Sequence, residues 1–293
     1  MKKLLAIMMA SVMMIGLCAC GAADKVADEA PATEVTDAAN EVADVAAPAD
    51  EATTAERTTF TVGFDAEFPP YGYMDESGEY VGFDLDLAQE VCNRMGWELV
   101  KQPIDWDAKD MELSSGAIDC IWNGFTINGR EDSYTFSVPY VDNSQVYVVK
   151  EGSDVNGEAD LAGKVVGVQA DSSALAALED AEGKADVAAT FADLVQFADY
   201  NTGFMNLESG AIDCLALDIG VANYEIAARD GGYVILADQL ASEQYGIGFL
   251  KGNTELKDQV EKVLLEMVED GTFGNIAANY ADFGLVDSVC LGK

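Results

Sequence analysis

The chain has 293 residues, 53 of them acidic and 16 basic, for a net charge of −37. That balance excludes nucleic acid as a partner, because phosphate binding needs a basic surface. Histidine is absent, which excludes Ser-His-Asp and Cys-His catalysis and every His-containing zinc site; no catalytic residue, cofactor or metal is expected.

Lys2 and Lys3 open the chain, and Leu4 to Ala19 follow as an apolar run broken only by Ser11 and Gly16. The run is shorter than the ~20 residues that span a bilayer, and it suits the apolar core of a signal peptide over residues 1–19. Leu17-Cys18-Ala19-Cys20-Gly21 resembles a bacterial lipoprotein processing site. Cys20, after the small Ala19, fits the lipidated position, whereas Cys18 follows the bulky Leu17. The alternative is an ordinary secretory signal with chance cysteines. Residues 20–57 repeat Ala, Asp, Glu, Thr and Val without helical or strand period, and no aromatic residue occurs before Phe60. Such a segment cannot bury enough apolar surface to offset its ordering entropy and reads as a disordered acidic tether.

From residue 58 strands alternate with helices. Phe60–Phe64, Ile118–Trp122, Lys164–Gln169, Ile212–Leu217 and Tyr233–Leu236 read as strands. Leu85, Leu87, Ala88, Val91, Cys92 and Met95 repeat at helical spacing, and helices are expected over Ser172–Asp180, Asp218–Ala228 and Glu255–Glu269. The alternation predicts an α/β fold with mainly parallel sheets covered by helices. Ser115-Gly116-Ala117-Ile118-Asp119-Cys120 recurs as Ser209-Gly210-Ala211-Ile212-Asp213-Cys214. Either a common helix-to-strand turn is used twice, or two lobes share one architecture. In both copies the Gly reads as a helix C-cap. Cys92, Cys120, Cys214 and Cys290 show no CxxC spacing and read as buried free thiols, with a disulfide open outside the membrane.

Several segments in order carry a family resemblance. They are Val62 to Tyr71, Gly82-Phe83-Asp84-Leu85-Asp86-Leu87, Gly124 to Arg130 with Phe136-Ser137-Val138-Pro139-Tyr140, Val165 to Ser173, Leu217-Asp218, Gln244 to Gly248 and Asp270 to Phe273. Together they resemble the family 3 solute-binding proteins of polar amino-acid ABC importers, in lipoprotein form. Two departures stand out. The family's Thr-x-Thr-x-x-Arg is one residue shorter here, as Thr126-Ile127-Asn128-Gly129-Arg130, and Asp171 stands where many members have Gly.

The resemblance implies two Rossmann-like lobes joined by two hinge strands, the type II periplasmic binding protein-like fold. Lobe 1 would hold residues 58–147 and 247–293 and lobe 2 residues 151–241, with hinges near 145–150 and 243–248. A free polar amino acid would bind between them and pass to an ABC permease. A monomer held to the membrane through Cys20 is expected. An amino acid must have both backbone charges paired when buried. Arg130 can grip a carboxylate with two parallel hydrogen bonds; a surface ion pair with Glu131 or Asp132 is its bland alternative. By family position Gly124, Thr126, Ser172 and Ser173 join Arg130 at the carboxylate, and Asp218 with Gly124 accepts from the ammonium. Ser172 and Asp218 each have the plainer reading of a helix N-cap. Asp65 would meet the ligand side chain, between the rings of Phe68 and Trp106, with Trp122 nearby. That set suits a basic side chain, glutamine or cystine. A secreted enzyme on the same scaffold, such as a cyclohexadienyl-type dehydratase, and a surface adhesin are the alternatives.

Overall fold

The structure, a computed structural model, describes residues 57–229 and 231–293. The expected signal segment, Cys20 and the expected tether up to residue 56 lie outside the described residues.

Strand Thr59–Phe64 buries Phe60, Val62, Gly63 and Phe64, since a central strand is covered on both faces and reads as a near-continuous apolar run. It lies between the parallel strands Glu98–Pro103 and Cys120–Ile121. Gly248–Leu250 pairs antiparallel with Cys120–Ile121, and Tyr134–Phe136 pairs antiparallel with Gly248–Leu250 to complete this five-stranded sheet. A second five-stranded sheet repeats the plan. Val165–Gln169 lies between the parallel Asp193–Phe197 and Cys214–Asp218, and Val141–Lys150 and Tyr233–Tyr245 add antiparallel strands. The expected mainly parallel sheets are therefore mixed. The reason is topological: the chain leaves one lobe and returns along neighbouring strands of opposite direction.

The repeated hexapeptide does the same work in both sheets. Gly116 and Gly210 end helices Lys109–Ser115 and Tyr200–Ser209 in the left-handed region, at φ 77° and 78°, where a Cβ would be costly. Asp119 accepts a hydrogen bond from Thr61 N at 2.7 Å, and Asp213 accepts from Val165 N at 2.8 Å. Each Asp thus clamps its strand to the neighbouring parallel strand of its own sheet. The reading of two lobes with shared architecture is the one the structure shows.

Val141–Lys150 and Tyr233–Tyr245 pair as one long antiparallel ribbon. Residues 145–149 also pair with Cys214–Asp218, whereas 141–144 pair only with 242–245 within this sheet. The outgoing crossover between the sheets therefore lies at 141–144, N-terminal to the expected 145–150 stretch. Helix Phe83–Met95 turns Phe83, Leu87, Val91 and Cys92 into the first lobe, where helix Thr254–Glu269 adds Leu256, Val260, Leu264 and Met267. Cys92, Cys120 and Cys214 are buried free thiols and Cys290 is half-buried and free. The remaining predicted elements are present with shifted ends: Cys120–Ile121 is shorter than expected, and Tyr233–Tyr245 is longer because it continues into the crossover.

Candidate functional site

In open α/β sheets the carboxyl ends of parallel strands meet a ligand cleft. Here four such ends carry the candidate residues. Asp65 follows Thr59–Phe64 and Gly124 lies just beyond Cys120–Ile121. Ser172 and Ser173 lie beyond Val165–Gln169, and Asp218 ends its own strand. A narrow cavity between the lobes is walled on the first side by Phe68, Trp106, Gly124, Thr126 and Arg130. Ser172, Ser173, Asp218 and Gln169 wall the other side.

The two walls touch. Gln169 Nε2 donates to Asp65 Oδ2 at 2.7 Å, Trp106 Nε1 to the Asp171 carbonyl at 3.2 Å and Thr126 Oγ1 to Ser173 Oγ at 3.3 Å. Lys109 also forms an ion pair with Asp171 across the cleft. Asp171 sits at φ 55°, a conformation that Gly would adopt without strain. Its side chain therefore supplies a contact between the walls that a Gly there lacks.

Arg130 follows a turn in which its N–H donates to the Ile127 carbonyl at 2.9 Å and Gly129 takes φ 79°. Its guanidinium lies over the Phe125 ring, 5.1 Å from the centroid. Trp106 and Tyr134 hold that ring edge-on at 5.7 and 5.0 Å. The two guanidinium donors reach only the carbonyls of Thr126 and Asp171, both at 3.4 Å. Arg130 makes no ion pair among the described residues, so the pairing with Glu131 or Asp132 does not occur there. Asn128, where the shortened motif displaces the family's second Thr, instead accepts from Gln244 N at 2.8 Å and ties the turn to the return strand.

Ser172 caps helix Ser173–Glu179 by accepting from Leu175 N at 3.1 Å and lines the cavity as well. Asp218 precedes helix Ile219–Ala228 but makes no capping bond to it. Its carboxylate turns inward, accepting from Asn143 Nδ2 at 2.8 Å, Gln145 Nε2 at 2.7 Å and the Tyr245 hydroxyl. Burial, together with the neighbouring charge of Glu243, pushes the Asp218 carboxyl well above the usual carboxylate range. Burial and the Asp218 charge push the phenols of Tyr71, Tyr200 and Tyr245 up in turn.

Asp65 is 6% exposed. Besides Gln169 it accepts from Glu67 N at 2.8 Å, and burial raises its carboxyl to about 6. It lies in an adjoining opening with Trp106, Glu67, Asp105, Asp107 and Asp199 rather than in the narrow cavity itself; Trp106 faces both spaces. Trp122 is a correction. It is wholly buried in the first lobe's core and does not line the cavity, because a lone aromatic at the end of a central strand packs inward.

Sequence reasoning missed several residues. Asp84, within the quoted Gly82-to-Leu87 segment, accepts from Gly124 N at 2.6 Å and the Tyr140 hydroxyl at 2.8 Å. It fixes Gly124 at φ 56°, where a Cβ would stand 2.8 Å from Phe68. Gln169 was legible as the end of a quoted strand. Asn143, Gln145 and Glu243 carried no motif signal.

The model of the bacterial extracellular solute-binding proteins, family 3, matches residues 60–283. The L-cystine-binding protein TcyJ of Escherichia coli is 28% identical over 221 residues, covering 74% of this chain and 80% of that protein. The lysine/arginine/ornithine-binding periplasmic protein of Escherichia coli is 27% identical, over 78% of this chain and 89% of that one. Among solved structures, a histidine-bound ABC uptake transporter substrate-binding protein from Streptococcus pneumoniae superposes with TM-score 0.72 at 33% identity. That match covers 76% of this chain and 92% of the other. An ancestral arginine-binding protein bound to arginine gives TM-score 0.71 at 35% identity, over 77% and 99%. A match to the family model across most of the chain, on a two-lobed α/β fold shared with these proteins, establishes that the chain belongs to the bacterial extracellular solute-binding proteins, family 3.

Proposed function

We propose that the chain is the substrate-binding component of an ABC importer and takes a free polar amino acid between its lobes without turning it over. The observation that carries this reading is the charge layout of the cavity. A guanidinium without an ion partner among the described residues, Arg130, stands on one wall, and a buried carboxylate, Asp218, on the other. An α-amino acid brings a carboxylate to pair with the guanidinium and an ammonium to pair with the Asp218 carboxyl group. Gly124, Thr126, Ser172 and Ser173 complete the polar lining, and Phe68 and Trp106 supply apolar ring surface. Relatives named for cystine, histidine, arginine and lysine support the class. Calorimetric titration with the twenty amino acids tests it. Saturable binding by a subset, lost when the ligand is N-acetylated or amidated, is expected. Chemical conversion of a substrate without amino-acid binding would favour the enzyme reading instead.

Asp65 and the acidic opening around it favour a basic side chain, with glutamine and cystine as the neighbouring choices. Asp65→Asn should therefore lower affinity for arginine and lysine more than for glutamine, whose neutral amide still hydrogen-bonds to Asn. Titration of parent and variant with arginine, lysine, histidine, glutamine and cystine reads this. Equal proportional losses across all five would remove Asp65 from side-chain recognition.

The processing-site resemblance at Leu17 to Gly21 supports Cys20 as a lipidated N-terminus that tethers the monomer outside the cell membrane for delivery to a permease. Mass spectrometry of the native protein should find a diacylated Cys20 at the N-terminus. An unmodified N-terminus downstream of Cys20 in freely soluble protein would exclude the anchor.

A further inference from the structure

Glu243 is 6% exposed and lies on the return strand Tyr233–Tyr245, opposite Asn143 in the ribbon that joins the lobes. Asn143 Nδ2 donates to Glu243 Oε1 at 2.7 Å and to Asp218 Oδ1 at 2.8 Å. Gln145 Nε2 donates to Glu243 Oε1 at 2.8 Å and to Asp218 Oδ1 at 2.7 Å. Two buried carboxyl groups thus share two amide donors. The amide oxygens of both side chains are buried and have no partner, so these residues direct their donors at the carboxylates. No lysine or arginine is among the partners of either carboxylate within the described residues. Asp218, away from bulk water and beside a second carboxyl group, resists ionisation.

We propose that Asp218, held beside Glu243 by two shared amide donors, keeps a proton in the unliganded cleft and releases it when the ligand's ammonium group arrives. The inference rests on the amino-acid reading of the cleft. Asp218 faces the cavity and touches the ligand, while Glu243, behind it, is a positioning residue that acts through Asp218. The arriving ammonium supplies the positive charge that stabilises the ionised Asp218, and the displaced proton leaves to solvent. The sign follows: ligand capture releases protons, so affinity falls as the medium acidifies, approaching tenfold per pH unit where one whole proton is exchanged.

Other groups face the pair. Tyr71, Tyr200 and Tyr245 stay protonated across the working range, because burial and the Asp218 charge raise all three. Asn143, Gln145, Ser172 and Ser173 do not titrate there. Arg130 stands across the cavity and supplies positive charge. Asp84 is raised to about 7 by burial, but it bonds to Gly124 N and the Tyr140 hydroxyl and does not line the cavity. Asp65, raised to about 6, could exchange a proton of its own with a cationic ligand. The experiment must therefore compare proteins that both retain Asp65 and Asp84.

The test is calorimetric titration of the whole protein and of Glu243→Gln with L-arginine and L-glutamine at about pH 6.5, in two buffers of different ionisation enthalpy. The heat difference counts the protons released. Parent protein should release a substantial fraction of one proton per ligand bound, and Glu243→Gln less than half as much, because the amide no longer raises Asp218. Equal release by parent and variant, or binding to the parent with no release, would overturn the proposal. Should Glu243→Gln fail to fold, the parent's affinity for L-glutamine, whose neutral side chain brings no charge to Asp65, between pH 5.5 and 8 is the second readout. A fall of severalfold or more on acidification supports the proposal, and a flat profile overturns it. Absence of binding by either ligand, followed by absence with the remaining amino acids, would instead overturn the amino-acid reading on which the pair rests.

Discussion

Replacing Arg130 with alanine is expected to weaken amino-acid binding by at least about thirtyfold while leaving the fold intact. Truncating one side of a buried charge pair costs roughly 2–5 kcal/mol, and 1.4 kcal/mol corresponds to tenfold in affinity. The structure gives reason to expect little cost in stability. Arg130 makes only two long bonds to carbonyls, and its remaining contact is the face of Phe125. Arg130→Lys keeps the charge but loses the planar fork that grips a carboxylate with two parallel bonds. It should fall between the parent and Arg130→Ala. Calorimetric affinities with thermal melts of the same samples separate the outcomes. An Arg130→Ala protein that melts like the parent and binds as tightly would remove Arg130 from the carboxylate site.

Asp218→Asn is expected to cost at least as much affinity and to leave the unliganded protein no less stable. The substitution is nearly isosteric. Its side-chain oxygen can still accept from Tyr245, Asn143 or Gln145, but it can no longer balance an ammonium ion. It also removes one of two like charges held together in the core of the cleft. Because the folded-state carboxyl of Asp218 is raised above its unfolded value, its ionisation opposes folding. The stabilising influence of the protonated form is complete below the ordinary carboxylate range and is lost as pH rises through the folded value. Asp218→Asn takes that loss away, so at pH 8 its melting temperature should equal or exceed that of the parent without ligand. Parallel loss of affinity and stability would instead mark Asp218 as a structural residue.

Most residues of the candidate cleft that were legible in the sequence share one physical feature. Each lies at the carboxyl end of a parallel strand or in the turn after it, where a recognisable local segment fixes its position. Asp65, Gly124, Ser172 and Asp218 are of this kind, and Arg130 was marked by the Gly-containing turn that ends on it. The residues of the long ribbon were not legible as a cluster, because their meeting depends on the register of two strands about a hundred residues apart. Asn143 faces Glu243 only once the ribbon is paired, and alternation along either strand gives no sign that two amides and a carboxylate coincide. Lys109 and Asp171 are 62 residues apart in the chain and meet only when the walls of the cleft touch. Trp122 was misplaced for the opposite reason: a local cue, an aromatic residue beside a cleft segment, was outweighed by burial in the core. The hexapeptide echo was informative because a helix stop and a strand clamp are both local devices, and both lobes use them in the same way.

The most direct measurement is a crystal structure of the protein with the amino acid that titrates most tightly. The ligand carboxylate should lie within hydrogen-bond distance of both terminal nitrogens of Arg130, and its ammonium within the same distance of an Asp218 oxygen. The side chain should point past Phe68 and Trp106 toward Asp65. A ligand bound outside the interlobe cavity, or one that presents its carboxylate to Asp218 and its ammonium to Arg130, would contradict the assignment.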